Sequence, residues 1–553
     1  MKTYFYFHKK RIPVNILSTD DSWELSFNYN KALVEEIKES TDTRQWVAER
    51  RVWHLKKTPR NKFVLAFLQG KKPYARYDVP LVIPNIEGFW GHQNPMYAHI
   101  MQRKQVIIAG EMRTGKTRPT LRAIIDTQCY GAWWIAPKSA LRGLKNELVK
   151  WGFPFKIFLM TYDKFRRTYN GSLAVVPKFI VFDECQRLKN PRSKQGQLAF
   201  DLATDQQIKY GNDRYIVLLS GTPAPKDPSD WWNITEVACA GFLREGSQTG
   251  LKQKLGEWEQ KERENLEKQE EEEEEQEKKY YYKLTKWKED EVKRFHKRLK
   301  GLVEVYFKKD CLDLPQKIYN IIKLDIPSEY KMAINLIKGT ESKAITLLNK
   351  LRQLSDGFQY INTPDSITAI NKRETKYFPN CPKDNQLKLD LDEFEDIGRV
   401  IVYCGFQATL DKITSICIKE GWAVLKVDGR GWEALNTTAT VDECLKEMDG
   451  SLNVGKIEKL AFCAQADAAS EGLELSASPI IIYYSNSFSG RARMQSEDRP
   501  HSNNMDKSRG LEIRDYIHLP TDELTRLNLK EKKTLQSITM GDINLSMKGV
   551  WND

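Results

Sequence analysis

The stretch VIIAGEMRTGKT, residues 106–117, decides how the rest of the chain is read. Val106–Ala109 is an unbroken apolar run, the mark of a short strand buried on both faces. Gly110, four further residues, Gly115, Lys116 and Thr117 then follow at the spacing of a phosphate-binding loop. Glycines let successive backbone N–H groups face an anion. Lys116 is placed to reach the β- and γ-phosphates and Thr117 to hold Mg²⁺. Residues 118–127 are expected to form the helix whose N-terminus faces those phosphates, with Pro119 in its tolerant first turn. Gly110, Thr114, Gly115, Lys116 and Thr117 are therefore the candidate nucleotide contacts.

Outward from the loop, the pattern is strand, turn, helix, repeated. Gln93 precedes the loop beside Phe89 and Trp90, a set suited to reading an adenine edge while a ring stacks. Residues 132–137, 158–161, 179–182 and 215–219 are further apolar strand candidates. The third of these ends in Asp183-Glu184. Two carboxylates at the tip of a buried strand suit a Mg²⁺ contact by Asp183 and polarisation of an attacking water by Glu184. The last ends in Ser220-Gly221-Thr222-Pro223, small hydroxyl residues able to couple nucleotide state to neighbouring loops. Residues 93–230 thus read as a parallel α/β domain with its ligand at the C-terminal strand ends.

Length and charge bound the remainder. At 553 residues the chain suits about three domains. No run approaches the ~18 apolar residues of a membrane span. The MKTYFYFHKKRIP start does not suit a secretory signal. Nine cysteines without a C-x-x-C pair point to a reducing compartment and against a zinc site or disulfide framework. Net charge is +12, yet residues 257–278 hold twelve Glu against four Lys or Arg. The basic surplus elsewhere suits a polyanionic partner such as nucleic acid, although a merely soluble basic protein has the same composition.

The N-terminal 78 residues read as a small α+β module. Strands are expected at 23–27 and 52–55, and helices at 30–39 and 61–68. Lys9, Lys10, Arg11, Arg50, Arg51, Lys56, Lys57, Arg60 and Lys62 accompany Trp46 and Trp53. Such a mixture can grip a phosphate backbone and stack on bases, or be core tryptophans among solvated charges. Residues 251–300 are almost wholly charged and are expected to be an exposed helix or disordered. Strands return at 400–403, 423–427, 460–464 and 479–484.

The α/β segments resemble the Swi/Snf family of helicase-like ATPases, in helicase superfamily two. The resemblance is carried by APKSALRGLKNELVKW at 136–151, LMTYDKF at 159–165, VFDECQRLKNPRSK at 181–194 and LLSGTPAP at 218–225. FKKDCLDLPQK at 307–317, LRQL at 351–354 and QSEDRPHS at 495–502 extend it. Cys185-Gln186 stand where the family has Ala-His, and residues 470–475 keep only Gly472 and Leu475 of a glycine-rich loop. The N-terminal module is similar, more faintly, to the HARP domain of annealing helicases.

The resemblance implies an α/β fold of two RecA-like parallel-sheet lobes with helical insertions, plus the small α+β N-terminal domain. The expected domains are 1–78, lobe one at 79–230, a helical protrusion and linker at 231–384, lobe two at 385–520 and a C-terminal helical brace at 521–553. It implies ATP and Mg²⁺ as cofactors, with Gly472 near the nucleotide and Arg499 as an arginine finger on the transferring phosphate. The family's second arginine is Ser502 here, which puts robust turnover in question; Arg491, Arg493 or Arg509 are the available substitutes. Lys138, Ser139, Thr161, Ser220 and Thr222, with Trp46 and Trp53, are the candidate nucleic-acid contacts. The expected function is an ATP-dependent translocase that remodels duplex, forked or branched DNA, or displaces proteins from it. The rival from another class is a nucleotide-binding DNA clamp with little turnover. A phosphate-loop kinase or GTPase explains neither the second lobe nor QSEDRPH. The expected setting is a monomer in a bacterial cytoplasm or a virus-infected cell, with no membrane partner.

Overall fold

The computed structural model describes residues 2–7, 10–71, 75–154, 156–221, 227–262, 280–340, 344–364, 371–451, 457–468, 473–502, 504–506 and 508–530. The described chain falls into two compact units, one ending at Phe307 and one beginning at Lys308. The division expected after residue 230 is therefore not where the chain divides.

The first unit begins with an antiparallel sheet of β1 (Lys2–Phe7), β2 (Lys10–Ser18), β3 (Ser22–Ser26), β4 (Arg44–Val47) and β5 (Val52–Lys56), in the spatial order β1-β2-β3-β5-β4. Helices Lys31–Ser40 and Pro59–Leu68 bring Leu33, Ile37, Leu65 and Leu68 into one core with Phe5, Leu25 and Leu55. Both helices start where sequence chemistry demands. Asn30 accepts from the Leu33 N–H at 3.0 Å, and Thr58 caps the second with Pro59 in its first turn. The expected strands and helices are present, and three strands the hydrophobic pattern did not disclose join them.

The phosphate-loop sheet follows: β6 (Gln105–Gly110), β7 (Trp133–Ala136), β8 (Phe158–Thr161), β9 (Phe179–Asp183) and β10 (Tyr215–Ser220). All its pairs are parallel. Next comes a hairpin, β11 (Gly256–Glu262) with β12 (Tyr280–Trp287), and then β13 (Val303–Tyr306). The six-stranded order is β13-β6-β10-β9-β7-β8. Its edge strand thus arrives after the charged insertion, some seventy residues beyond the stretch expected to hold this lobe. Buried apolar side chains cover both faces of the sheet, as a parallel sheet requires.

The charged stretch at 251–300 corrects another expectation. Its described part is not one exposed helix. The β11–β12 hairpin stands between helices Gln248–Leu255 and Glu289–Arg298. Trp258, Tyr282 and Trp287 supply the aromatic content that favours cross-strand pairing over helix among so many charges. Residues 263–279, with the glutamate run, lie outside the described residues.

The N-terminal module is bound to the phosphate-loop domain through Arg60. This guanidinium is buried and donates to the carbonyls of Ser40 (2.7 Å), Leu243 (3.1 Å), Arg244 (3.0 Å) and Glu245 (2.6 Å). It also pairs with buried Glu236 at 2.7 Å. Gly246 lets the chains close: its N–H donates to the Glu39 carbonyl at 2.6 Å, and a Cβ there would stand 2.3 Å from that oxygen. Arg60 therefore belongs to an internal joint and not to a nucleic-acid face.

The second unit holds β14 (Lys317–Lys323), the hairpin β15 (Phe358–Pro364) and β16 (Asn371–Tyr377), then β17 (Arg399–Cys404), β18 (Ala423–Asp428), β19 (Gly431–Leu435), β20 (Leu460–Gln465), β21 (Ile480–Tyr483) and β22 (Leu511–Ile517). Its main sheet runs β14-β22-β21-β17-β20-β18-β19, parallel except for the β18–β19 edge hairpin. This is the second largely parallel sheet, and β14 comes from within the segment expected to be linker. The end of the chain is helical over 520–530, and the remainder of the expected brace is outside the described residues.

Candidate nucleotide site and its motifs

The site is built at the C-terminal ends of β6, β10 and β9, which lie side by side in that order. The phosphate loop leaves β6 and enters helix Thr117–Asp126. Gly115 takes φ +73°, and a Cβ there would meet the Gln93 amide nitrogen at 2.4 Å. A Cβ at Gly110 would meet the Thr114 hydroxyl at 2.7 Å and the Lys116 stem at 3.1 Å. Both glycines are thus required by packing as well as by backbone freedom. The Lys116 ammonium donates back to the carbonyls of Gly110 (2.7 Å) and Glu111 (3.1 Å).

Gln93 is buried, with its amide engaged at both ends. It accepts from the Trp90 N–H at 2.9 Å and donates to the Gly115 carbonyl at 3.0 Å. His92 bonds the adjacent Thr114 carbonyl at 2.8 Å. In this state Gln93 latches the loop instead of presenting its amide to an adenine edge, because a buried amide must satisfy its own donors and acceptors. Arg118 stacks over Trp151 at 3.8 Å, lies 5.3 Å from the Phe89 ring, and donates to the Gly88 carbonyl. Phe89, before the loop, is tied in this way to the helix after it.

Asp183 ends β9, and Glu184 turns away from it in the left-handed region at φ 55°. Burial, then the neighbouring Glu184 charge, pushes the Asp183 carboxyl up to about 7, against the opposing pull of Lys116. Tyr162 donates to the Asp183 carbonyl at 2.8 Å and fixes the strand tip. Gln186 donates to the Glu184 carboxylate and accepts from the Ser220 hydroxyl at 2.5 Å. A buried relay therefore joins the acidic turn to the turn after β10. Sequence reading noted Gln186 only as a departure; its bridging role needed the adjacency of β9 and β10.

The remaining nucleic-acid candidates divide between two sheets: Lys138, Ser139 and Thr161 stand at the neighbouring ends of β7 and β8, where Ala136 pairs with Thr161, and Trp46 and Trp53 belong to the N-terminal sheet. Lys138 is exposed at the start of helix Lys138–Lys150, where Ser139 is the next residue. Thr161 caps helix Tyr162–Thr168, accepting from the Lys164 N–H at 3.0 Å. Ser220 is buried and bound to Gln186, which corrects its expected place on a nucleic-acid surface. Thr222 and Gly472 lie outside the described residues. Trp53 is a core residue, while Trp46, its cross-strand neighbour at 5.3 Å between rings, stands half exposed. The two tryptophans therefore do not form one stacking platform.

In the second unit, Arg499 is buried at 3% exposure and donates to the Leu473 carbonyl at 3.2 Å. Its segment is anchored by charge. Asp498 takes Lys317 at 2.9 Å and Lys308 at 3.2 Å, and Glu497 accepts from Tyr319 at 2.8 Å. Burial disfavours the Asp498 charge, but the two lysines outweigh it and hold that carboxyl far below its usual range. His501 bonds the Pro315 carbonyl at 2.8 Å. Ser502 donates to Glu474 at 3.3 Å, and Asn504 donates to the same oxygen at 2.8 Å. Arg493 is engaged by Asp515 (2.6 Å), Glu497 (2.8 Å) and Asn486 (2.6 Å) over the Tyr483 ring. It is a structural hub and not a substitute for the missing arginine. Arg509 is exposed beside Asp506.

The donor set fits a magnesium nucleotide. The glycine cradle admits an anion, and a buried carboxyl held up to about 7 gains from a cation beside it.

Residues 145–364 match the family model described as the SNF2-related domain. The chain is 21% identical over 491 residues to the CHD3-type chromatin-remodeling factor CHR7 of Arabidopsis thaliana, covering 80% of this chain and 36% of that protein. It is 21% identical over 429 residues to the ISWI chromatin-remodeling complex ATPase ISW2 of Saccharomyces cerevisiae, covering 71% and 35%. An uncharacterized ATP-dependent helicase of Mycoplasma genitalium, MG018, is 21% identical over 427 residues, covering 71% and 36%. The chain thus spans about a third of the length of the curated relatives it matches. A solved Sulfolobus solfataricus SWI2/SNF2 ATPase core in complex with dsDNA aligns with 85% of this chain and 97% of its own, at 18% identity and TM-score 0.35. The ordered motifs, the match over residues 145–364 and these relatives make the chain similar to the Swi/Snf ATPases of helicase superfamily two.

Proposed function

We propose that this chain is an ATP-hydrolysing motor that acts on DNA. The observation that carries the reading is the relay Glu184–Gln186–Ser220 beside the phosphate loop, which gives the nucleotide turns a rigid link to the next strand end. In this reading Thr117 and Asp183 hold Mg²⁺, which offsets phosphate charge when bound. Lys116 leaves its two loop carbonyls to meet the β- and γ-phosphates. Glu184, held by Gln186, orients the attacking water. Arg499 stabilises charge on the transferring phosphate after it is released from the Leu473 carbonyl. DNA remodelling at forks or junctions, with annealing or displacement of bound proteins, is the finer reading; the HARP-like residue order of the N-terminal module supports it. The relatives are named as chromatin-remodeling factors and helicases, which supports a DNA partner in general.

The test is steady-state ATP hydrolysis without DNA and with single-stranded, duplex and forked DNA, beside Lys116→Ala. Stimulation by duplex or forked DNA, lost in that variant, is expected. A second reading, a nucleotide-dependent DNA clamp with little turnover, is favoured by Ser502 on Glu474 where the family places an arginine. Negligible hydrolysis with every DNA, despite ATP binding, would establish that reading instead.

A further inference from the structure

A cavity of about 1030 Å³ opens where the N-terminal module, the segment after it and helix Glu289–Arg298 meet, all within the first unit. It lies at the upper end of pockets that hold a drug-sized ligand, roughly 300–1,000 Å³. The floor is aromatic: Phe63, Phe67 and Phe242 line it, each partly exposed. One wall is the extended stretch from Val79, which continues as an apolar strip on the surface. Val79, Val82 and Ile83 are 58%, 78% and 48% exposed. That strip is not loose chain, because Val82 exchanges two hydrogen bonds with the Gln102 amide, at 3.0 and 2.6 Å. An exposed apolar strip joined to an aromatic hollow is what a binding surface presents.

The rim is basic. Two lining acids are already neutralised: Glu245 takes Arg298 through a fork at 2.9 and 2.8 Å, and Glu291 takes Arg294 at 2.8 Å. Lys71, Arg244, Lys297 and Lys300 have no acidic partner among the described residues, and they stand against Glu36, Asp78 and Glu304. Arg244 lies 4.0 Å above the Phe67 ring, so one of these charges caps the aromatic floor.

We infer that this hollow docks a short acidic peptide of a second protein, with apolar side chains as anchors and Asp or Glu flanking them. A nucleic-acid backbone answers only half of the surface. It satisfies the rim cations but leaves Val79, Val82 and the phenylalanine floor against water. An acidic peptide with aromatic or aliphatic anchors meets both, burying the floor while its carboxylates pair at the rim. The site is separate from the nucleotide turns. Helix Gln93–Arg103 has its first residue at the phosphate loop and its last in the cavity lining, roughly 15 Å apart at 1.5 Å per residue.

The experiment uses the full chain and fluorescence anisotropy. The probe is a short fluorescein-labelled peptide of Asp and Glu interrupted by two Phe. Its comparators are the same peptide with Ser for Phe and a single-stranded DNA of similar length. Phe67→Ser and the double variant Arg244→Glu, Lys297→Glu are each expected to weaken the Phe peptide at least about ten-fold, with basal ATP turnover and thermal unfolding unchanged. The Ser peptide is expected to bind at least about ten-fold more weakly than the Phe peptide to the unaltered chain. Equal binding of both peptides, or binding indifferent to the variants, would overturn the inference. So would displacement of the Phe peptide by DNA with Phe67→Ser having no effect, which would assign the rim to nucleic acid.

Discussion

Replacing Arg60 with alanine strikes the joint between the N-terminal module and the phosphate-loop domain. The structure sets the size of the effect. The guanidinium is 2% exposed, makes four bonds to carbonyls and pairs with Glu236, which is 1% exposed. Truncation leaves the Glu236 carboxyl buried without its ion-pair partner, beside the Gly241 N–H at 3.0 Å. Breaking a buried pair on one side costs about 3–5 kcal/mol. For a unit running from Met1 to Phe307 each kcal/mol moves the midpoint by roughly 1.5 °C, so a fall of about 5–8 °C is expected. Thermal unfolding of the full chain, followed by calorimetry, reads it directly. A second variant, Arg60→Met with Glu236→Leu, removes the stranded carboxyl and leaves the four carbonyls and the Gly241 N–H unmet. It is expected to recover more than half of the loss. A shift below about 2 °C for Arg60→Ala would refute the claim that this residue joins the two parts.

The other predictions concern the site and its support. Gln186→Ala removes the relay between Glu184 and Ser220, and DNA-stimulated turnover is expected to fall about ten-fold or more while the basal rate changes less; kcat with and without duplex reads this. Ser502→Arg alone is expected to raise turnover less than Ser502→Arg with Glu474→Asn, because Glu474 is in place to capture the new guanidinium; equal rates for the two variants would count against that. His99 and Glu304 predict opposite pH slopes. Burial lowers His99 to about 3 and raises Glu304 to about 7, and the His99 Nδ1 stands 3.3 Å from the Glu304 carboxyl. Glu304 contributes stability present below its unfolded value and lost as pH rises through about 7, whereas His99 costs stability as pH falls below its unfolded value near 6.5. The two slopes oppose each other in the intact chain. His99→Asn is expected to lose stability as pH rises from about 4.5 to about 7, by up to about 3 kcal/mol, and Glu304→Gln to lose it as pH falls below about 6.5, by up to about 5 kcal/mol, in urea titrations.

The phosphate loop, the acidic strand tip and the alternation of strands and helices were legible because each is written in local chemistry. Gly110, Gly115, Lys116 and Asp183 sit at fixed spacings, and buried parallel strands are continuous apolar runs. The order of those strands was not legible. That β10 lies between β6 and β9, and that β13 closes the sheet from beyond a charged insertion, depends on contacts across long stretches of chain. The same holds for Gln186 and Ser220, thirty-four residues apart and bonded only because their strands are neighbours. Arg60 read as one more cation in a basic stretch, since sequence carries no record of which arginine is enclosed. Ser502 read as a loss, and only the fold showed Glu474 opposite it. Sequence alone determined the chemistry this chain can perform, because motif chemistry is local. Tertiary structure decided which charges are spent on holding the molecule together and which remain for partners, because burial and pairing are set by residues distant along the chain.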